Sequence, residues 1–177
     1  MAEIVYYVAA SVDGYIATAD GGVEWLPATE AEGEDDGYQA FYASVEALLM
    51  GSRTYAQVLR HASWPYPGKP CWVFSRQQIE VAQPEVILTS ASPNEIITEL
   101  QARQLNRVWL VGGGQLASSF RAHGLIAEYV IGVIPIILGA GIPLLVSYSS
   151  QEKLKLIECK PFPSGAVLLR YLRDSDA

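Results

Sequence analysis

Residues 107–120 read RVWLVGGGQLASSF. The apolar run Val108-Trp109-Leu110-Val111 has the make-up of a buried strand. Gly112, Gly113 and Gly114 follow, and a helix-compatible segment opens at Gln115. Glycines where a strand gives way to a helix let the backbone approach a ligand closely. The helix N-terminus behind them offers unpaired N–H groups and a partial positive charge. Together these features make a phosphate-sized anion site, and three consecutive glycines exceed what a tight turn needs. Gly112-x-Gly114-x-x-Ala117 also satisfies the letter of a Rossmann fingerprint. That motif belongs after the first strand of its unit, with an acidic residue about 20 residues on at the end of the second strand. Glu128 lies near that distance but opens a strand, so the Rossmann reading is set aside.

Outward from this stretch, the chain alternates strand and helix signals. Residues 4–10, IVYYVAA, read as a central strand. Residues 11–14 form a turn, and Tyr15-Ile16-Ala17 is a short extended piece. The helical spacing of Tyr38, Phe41, Tyr42 and Val45 predicts a helix over residues 38–47. A strand at 48–50 ends in Gly51, and Ser52 or Thr54 is placed to cap a helix running to about residue 60. Strands follow at 71–74 and 86–88. A helix spans 93–103, with Ser92 as N-cap and Pro93 at its first position. After the glycine turn and its helix come a long strand at 129–138, bent at Pro135, and a hairpin formed by 153–160 and 166–172. The expected fold is a three-layer α/β/α sandwich: a mostly parallel central sheet with a C-terminal antiparallel hairpin, in one domain over residues 1–177.

Three strands share a feature that carries chemistry. The first ends in Gly51-Ser52-Arg53-Thr54, the second in Ser75-Arg76 and the third in Gly112-Gly113-Gly114. In open α/β sheets, ligands bind outside the carboxyl ends of the strands. Arginine suits phosphate because its guanidinium binds bidentately. A ligand with several phosphates, such as a phosphorylated dinucleotide, fits this set.

Composition narrows the class. Of 177 residues, half are hydrophobic, which argues against disorder, and the net charge is −7. That charge argues against nucleic acid as a partner, which needs a basic surface. No apolar run reaches the roughly 18–20 residues of a membrane span. The start of the chain has no basic segment or cleavage pattern of a secretory signal, so a cytoplasmic protein is expected. Cys71 and Cys159 have no metal-ligand spacing and read as buried thiols. No G-x-S-x-G elbow, Walker A sequence or His/Cys cluster is present, and no metal is expected. A reductase needs none of these, because its cofactor carries the hydride. For proton donation the chain offers Asp35 and Asp36 ahead of Tyr38, Phe41 and Tyr42. Each reads either as a solvated helix-capping acid or as a carboxyl whose pKa the aromatic rings raise and which pairs with a heterocycle's N–H groups.

Taken in order, Val12-Asp13-Gly14-Tyr15-Ile16-Ala17, Trp25, Asp35-x-Gly-Tyr-x-x-Phe-Tyr, Met50-Gly-x-x-Thr-Tyr, Phe74-Ser-Arg, Gly112-Gly-Gly-x-Leu and Pro135-x-x-Leu-Gly-x-Gly-x-Pro-Leu resemble the dihydrofolate reductase-like superfamily. The closer branch is the reductase domain of riboflavin-biosynthesis deaminase-reductases, with its stand-alone bacterial relatives. The resemblance implies NADPH as cofactor, with Ala9 and Ile16 flanking the nicotinamide. Gly51, Ser52, Arg53 and Thr54 would hold its phosphates, Ser75 and Arg76 would lie near the adenosine 2′-phosphate, and Gly112, Gly113, Gly114, Gln115 and Leu116 would cover the pyrophosphate. Asp35 would be the catalytic, substrate-binding carboxylate, with Trp25, Tyr38 and Phe41 around the substrate. The implied reaction is reduction of a pyrimidine or pterin-like heterocycle, first the phosphoribosylamino-aminouracil of riboflavin synthesis and second dihydrofolate, in a homodimer. Departures are Ser52 where the family often has arginine, Gly132 where folate reductases have threonine, and Ala127 in place of an aspartate. A nucleotide-binding module without turnover and a flavin- or quinone-type oxidoreductase are the alternatives.

Overall fold

The computed structural model describes residues 2–26, 37–60, 63–146 and 151–174. In chain order the elements are β1 (Glu3–Ser11), β2 (Tyr15–Ala17), α1 (Tyr38–Ser44), β3 (Ala47–Gly51), α2 (Ser52–Val58), β4 (Cys71–Phe74), β5 (Val86–Thr89), α3 (Pro93–Ala102), β6 (Arg107–Gly112), α4 (Gly114–Ala122), β7 (Ile126–Ile134), β8 (Ile142–Pro143), β9 (Leu154–Pro161) and β10 (Val167–Arg173). Eight strands form one sheet in the order β5-β4-β3-β6-β1-β7-β10-β9, while β2 and β8 pair separately. From β5 through β7 every pairing is parallel. β10 runs antiparallel to both β7 and β9. The expected mostly parallel sheet with a C-terminal antiparallel hairpin is the fold.

Helices cover both faces of the parallel part. On one side α3 and α4 bring Ile96, Ile97, Leu100, Ala117 and Phe120 against Ile4, Tyr6, Leu49, Trp72 and Leu110. On the other, α1 and α2 bring Tyr38, Phe41, Tyr42, Tyr55 and Val58 against Leu48, Met50, Cys71, Val73 and Trp109. Leu48, Leu49 and Met50 are all 0% exposed, so β3 shows no polar alternation. Each such side chain contributes about 1.5–3 kcal/mol of transfer free energy. The predicted cap of α3 is present as a full capping box, with Ser92 accepting from the Glu95 N–H and Glu95 accepting from the Ser92 N–H, and Pro93 at the first position.

Four expectations need correction. The helix at Tyr38 ends at Ser44; Val45 is extended, so the apolar positions 45 and 48 belong to the approach to β3 and to β3 itself. α2 has Gly51 as its N-cap and no side-chain cap, so neither Ser52 nor Thr54 caps it. β7 starts at Ile126 and stops at Ile134, before Pro135, whose missing N–H cannot continue the ladder. Cys71 is buried, with its thiol pushed up to about 12 by burial, but Cys159 is exposed on β9.

Glu128, 2% exposed, is the centre of an ion-pair row near the amino ends of the parallel strands. It accepts from Arg107 on β6 at 2.8 Å and from Arg170 on β10 at 2.7 and 2.9 Å. Arg107 also pairs with Glu3, and Arg170 with Glu158. The row ties together β6, β1, β7, β10 and β9. Replacing Glu128 by alanine leaves two partly solvated guanidinium groups without their shared partner, and should cost about 3 kcal/mol. The drop is read from the urea midpoint; a change below a few tenths of a kcal/mol contradicts the role assigned to the row.

Candidate functional site

The strand ends predicted to share a ligand do meet. β3 and β6 are neighbours, with Met50 paired to Gly112. A Cβ placed on Gly51 would stand 3.8 Å from both the Gly112 carbonyl oxygen and the Gly113 nitrogen. One placed on Gly113 would stand 3.5 Å from the Thr54 hydroxyl and 3.8 Å from Ile16 Cδ1. Gly51, Thr54, Gly113 and Ile16 therefore surround one point at the carboxyl edge of the sheet. Ala9 lies near the end of β1, paired with Gly132 of β7. Only that pairing brings it to the same edge; it is half-buried.

The three glycines have separate causes. Gly112 has φ 140°, a backbone region closed to most side chains. Gly114 opens α4 where a Cβ would lie 2.2 Å from the Pro143 carbonyl oxygen and 3.3 Å from that of Leu144. Two of the three are thus required by the fold. Gly113 is the one whose missing side chain leaves an open face toward Thr54 and Ile16, so the ligand argument narrows to that residue. It is the N-cap of α4, no side chain caps the helix, and its first-turn donors come from Gly114, Gln115 and Leu116. Gln115 is exposed; the Leu116 side chain turns inward against the core, leaving its backbone alone for the ligand.

The approach of residues 143–144 was not foreseen. β8 pairs Pro143 with Tyr15 and Ile142 with Ala17, and Leu144 donates to the Gly14 carbonyl at 2.9 Å. The buried Tyr6 hydroxyl donates to the Leu144 carbonyl at 2.9 Å. Gly139-x-Gly141-x-Pro143 was the only sign of this in the sequence, and it reads as an ordinary loop.

Tyr38 and Phe41 pack on Trp109, with ring centroids 5.9 and 5.4 Å from it. The Trp109 indole N–H donates to the Tyr7 carbonyl at 3.0 Å. Their first task is to seat α1 on the sheet, and both remain half-buried rather than sealed. Trp25 is half-buried and its indole N–H is buried without an acceptor among the described residues. Asp35 and Asp36 lie outside the described residues.

At the ends of β4 and β5, an open cleft of about 320 Å³ is lined by Ser75, Arg76, Gln77, Gln78, Leu88, Thr89 and Ser90. The Ser75 hydroxyl donates to the Gln77 carbonyl at 2.7 Å, so its proton is already used locally. Arg76 and Arg53, like Arg60, are exposed and enter no ion pair among the described residues, whereas Arg103, Arg107, Arg121, Arg170 and Arg173 all pair with carboxylates. Thr89 and Ser90 were missed, although they end β5 as Ser75-Arg76 follow β4. Among the described residues no group of His, Cys, Asp and Glu could hold a metal ion, and no helix is long and apolar enough to cross a membrane.

This sheet order, with a terminal antiparallel pair and glycine-rich strand ends at one edge, defines a dihydrofolate reductase-like domain. The chain belongs to the family of the RibD C-terminal domain, whose sequence profile matches residues 2–168. It is 35% identical over 172 residues to the uncharacterized protein YwjB of Bacillus subtilis, covering 97% of this chain and 98% of that one. Against YyaP of the same organism, also uncharacterized, identity is 26% over 181 residues, with 96% and 94% covered. The crystal structure of a protein from Shewanella sp. PV-4, named as a candidate for riboflavin biosynthesis, superposes with a TM-score of 0.87 at 33% identity, covering 98% of this chain and 99% of that one. The Thermotoga maritima diaminohydroxyphosphoribosylaminopyrimidine deaminase/5-amino-6-(5-phosphoribosylamino)uracil reductase shares the fold at a TM-score of 0.73 and 17% identity; 98% of this chain covers 57% of that longer one.

Two glycine substitutions separate fold from ligand contact. Gly51→Ala meets only ordinary contacts at φ −78°, so stability should stay the same or rise by up to about 1 kcal/mol. Gly114→Ala drives a Cβ into the Pro143 carbonyl and should cost about 1–3 kcal/mol. Urea unfolding of both variants checks this, and equal midpoints contradict it.

Proposed function

We propose that the protein is an NADPH-dependent reductase of a pyrimidine-type heterocycle, of the kind that reduces the phosphoribosylamino-aminouracil of riboflavin synthesis. The observation that carries the reading is the placement of unpaired cations. In a chain of net charge −7, Arg53 beside Gly51 and Arg76 just after β4 stay free of carboxylates among the described residues, on the carboxyl edge of the sheet where Gly51 and Gly113 leave room for a ligand. Family membership supports a riboflavin-biosynthesis reductase-like role.

NADPH, when bound, supplies the hydride. The first-turn amides of α4, behind Gly113, suit its pyrophosphate, with the Ser52 and Thr54 hydroxyls and Arg53 beside them. Arg76 suits the adenosine 2′-phosphate in the cleft with Thr89 and Ser90. Ile16 and Ala9 border the nicotinamide, and the orphaned Trp25 N–H offers the bound ligands a donor. Asp35, directly or through a water, is assigned the proton delivered to the substrate. Dihydrofolate is the second substrate to test. Gly132 removes the side chain folate reductases place there, although a Cβ would find only the Ala9 Cα, at 4.0 Å.

The same reading makes the protein a cytoplasmic homodimer. β9 and β10 leave Leu154, Leu156, Ile157 and Leu172 38–50% exposed at one end of the sheet. Sedimentation as a monomer at micromolar concentration removes that part alone.

Titration with NADPH, followed by nucleotide fluorescence, tests the cofactor. Loss of nicotinamide absorbance with the aminouracil phosphate, and with dihydrofolate in a parallel arm, tests turnover. No binding at micromolar NADPH overturns the proposal; binding without oxidation on either substrate favours a nucleotide-binding module instead. Arg76→Ala removes a charge-assisted hydrogen bond and should weaken NADPH about 10- to 100-fold while leaving NADH nearly unchanged. Equal losses for both nucleotides contradict the role of Arg76.

A further inference from the structure

The motif Ser11-Val12-Asp13-Gly14 contains an acid that the proposed chemistry does not use. Aspartate in a turn ordinarily bonds its own backbone two residues on. Asp13 instead reaches 125 and 126 residues along the chain: Oδ1 accepts from the Leu138 N–H at 3.1 Å and Oδ2 from the Gly139 N–H at 2.7 Å. The Ser11 hydroxyl, buried, donates to Oδ1 at 2.7 Å and accepts from the Tyr15 N–H at 3.0 Å, fixing the carboxylate's orientation. One main-chain bond runs alongside, from the Val12 N–H to the Ile136 carbonyl at 2.8 Å.

These bonds tie the turn that precedes β2 to the loop that precedes β8. Just past β8, the Leu144 N–H donates to the Gly14 carbonyl and its carbonyl accepts from Tyr6. Packing in between is tight, since a Cβ on Gly141 would lie 2.2 Å from the Ala17 carbonyl oxygen. The ribbon carries two groups to the glycine turn: Ile16 against Gly113, and the Pro143 carbonyl against Gly114. A shift of residues 136–141 therefore moves the wall that borders the nicotinamide, while the cleft around Arg76 belongs to β4 and β5 at the far end of the sheet.

We propose that Asp13 is a positioning residue, a latch that joins the loop after β1 to the loop after β7 and thereby sets the nicotinamide-side wall of the site. This rests on the cofactor reading above. The latch should matter for the nicotinamide half of the cofactor and not for the adenosine half.

The experiment compares wild type, Asp13→Ala and Asp13→Asn. Two probes are titrated: NADPH, and 2′-phosphoadenosine diphosphate ribose, which lacks the nicotinamide. Losing two hydrogen bonds to a carboxylate should weaken NADPH about tenfold in Asp13→Ala, with less than about a twofold change for the truncated probe. Asp13→Asn keeps one acceptor oxygen and should fall between. Amide exchange at Leu138 and Gly139 in the cofactor-free variants should quicken, and the urea midpoint should fall modestly as these native-state bonds are lost, with Asp13→Asn again in between. Parallel losses for both probes, or faster exchange with an unchanged ratio of affinities, overturn the latch alone. A wild-type chain that binds neither probe overturns the cofactor reading and this proposal with it.

Discussion

The structure depends on one close approach. At the start of α4 the backbone of residues 143–144 passes so near Gly114 that no side chain fits between them. That contact joins the helix that follows β6 to the ribbon that closes over the end of β1. Without it, Ile16 would have no fixed distance from Gly113, and the strand ends of β3 and β6 would form an open shelf. A glycine is needed there for space, and Tyr6 holds the crossing segment from beneath with its buried hydroxyl. Burial raises that phenol's pKa well above its ordinary value, so it stays protonated and keeps donating.

Charge is sorted along the strands. Near the amino ends, Arg107 and Arg170 converge on the buried Glu128 and are fully committed. At the carboxyl edge, Arg53 and Arg76 stand alone among the described residues. Buried ion pairs are weak sources of net stability but costly to leave half-made. The sheet thus places its self-satisfied charges away from the edge where a polyanionic ligand would need unsatisfied ones.

Much of this was legible in the sequence, for physical reasons. Val108 to Val111 has both faces covered, so its unbroken hydrophobicity announces a central parallel strand. Ser92-Pro93-x-Glu95 encodes its cap locally and was recovered in full. Errors arose where spacing was ambiguous or tertiary contacts decide. Val45 and Leu48 continue a helical period by coincidence, while the chain has already turned toward β3. In the site, the strand-end glycines and arginines were visible because each follows an apolar run. The crossing at Pro143 was not, since two loop residues carry no periodicity. The triple glycine was over-read as wholly a ligand signature, when conformation at Gly112 and crowding at Gly114 account for two of its members.

The position of β1 has a bearing on how the molecule comes into being. It precedes every other strand of the sheet along the chain, yet its partners are β6 and β7: Glu3 sits against Arg107, and Val5 against Glu128. An apolar strand with both edges unpaired must wait until the segments of β6 and β7 have been made. Pairing across such distances is intrinsically slow and leaves sticky edges exposed meanwhile. During folding, β1 is then the segment most dependent on chaperone protection until β7 arrives.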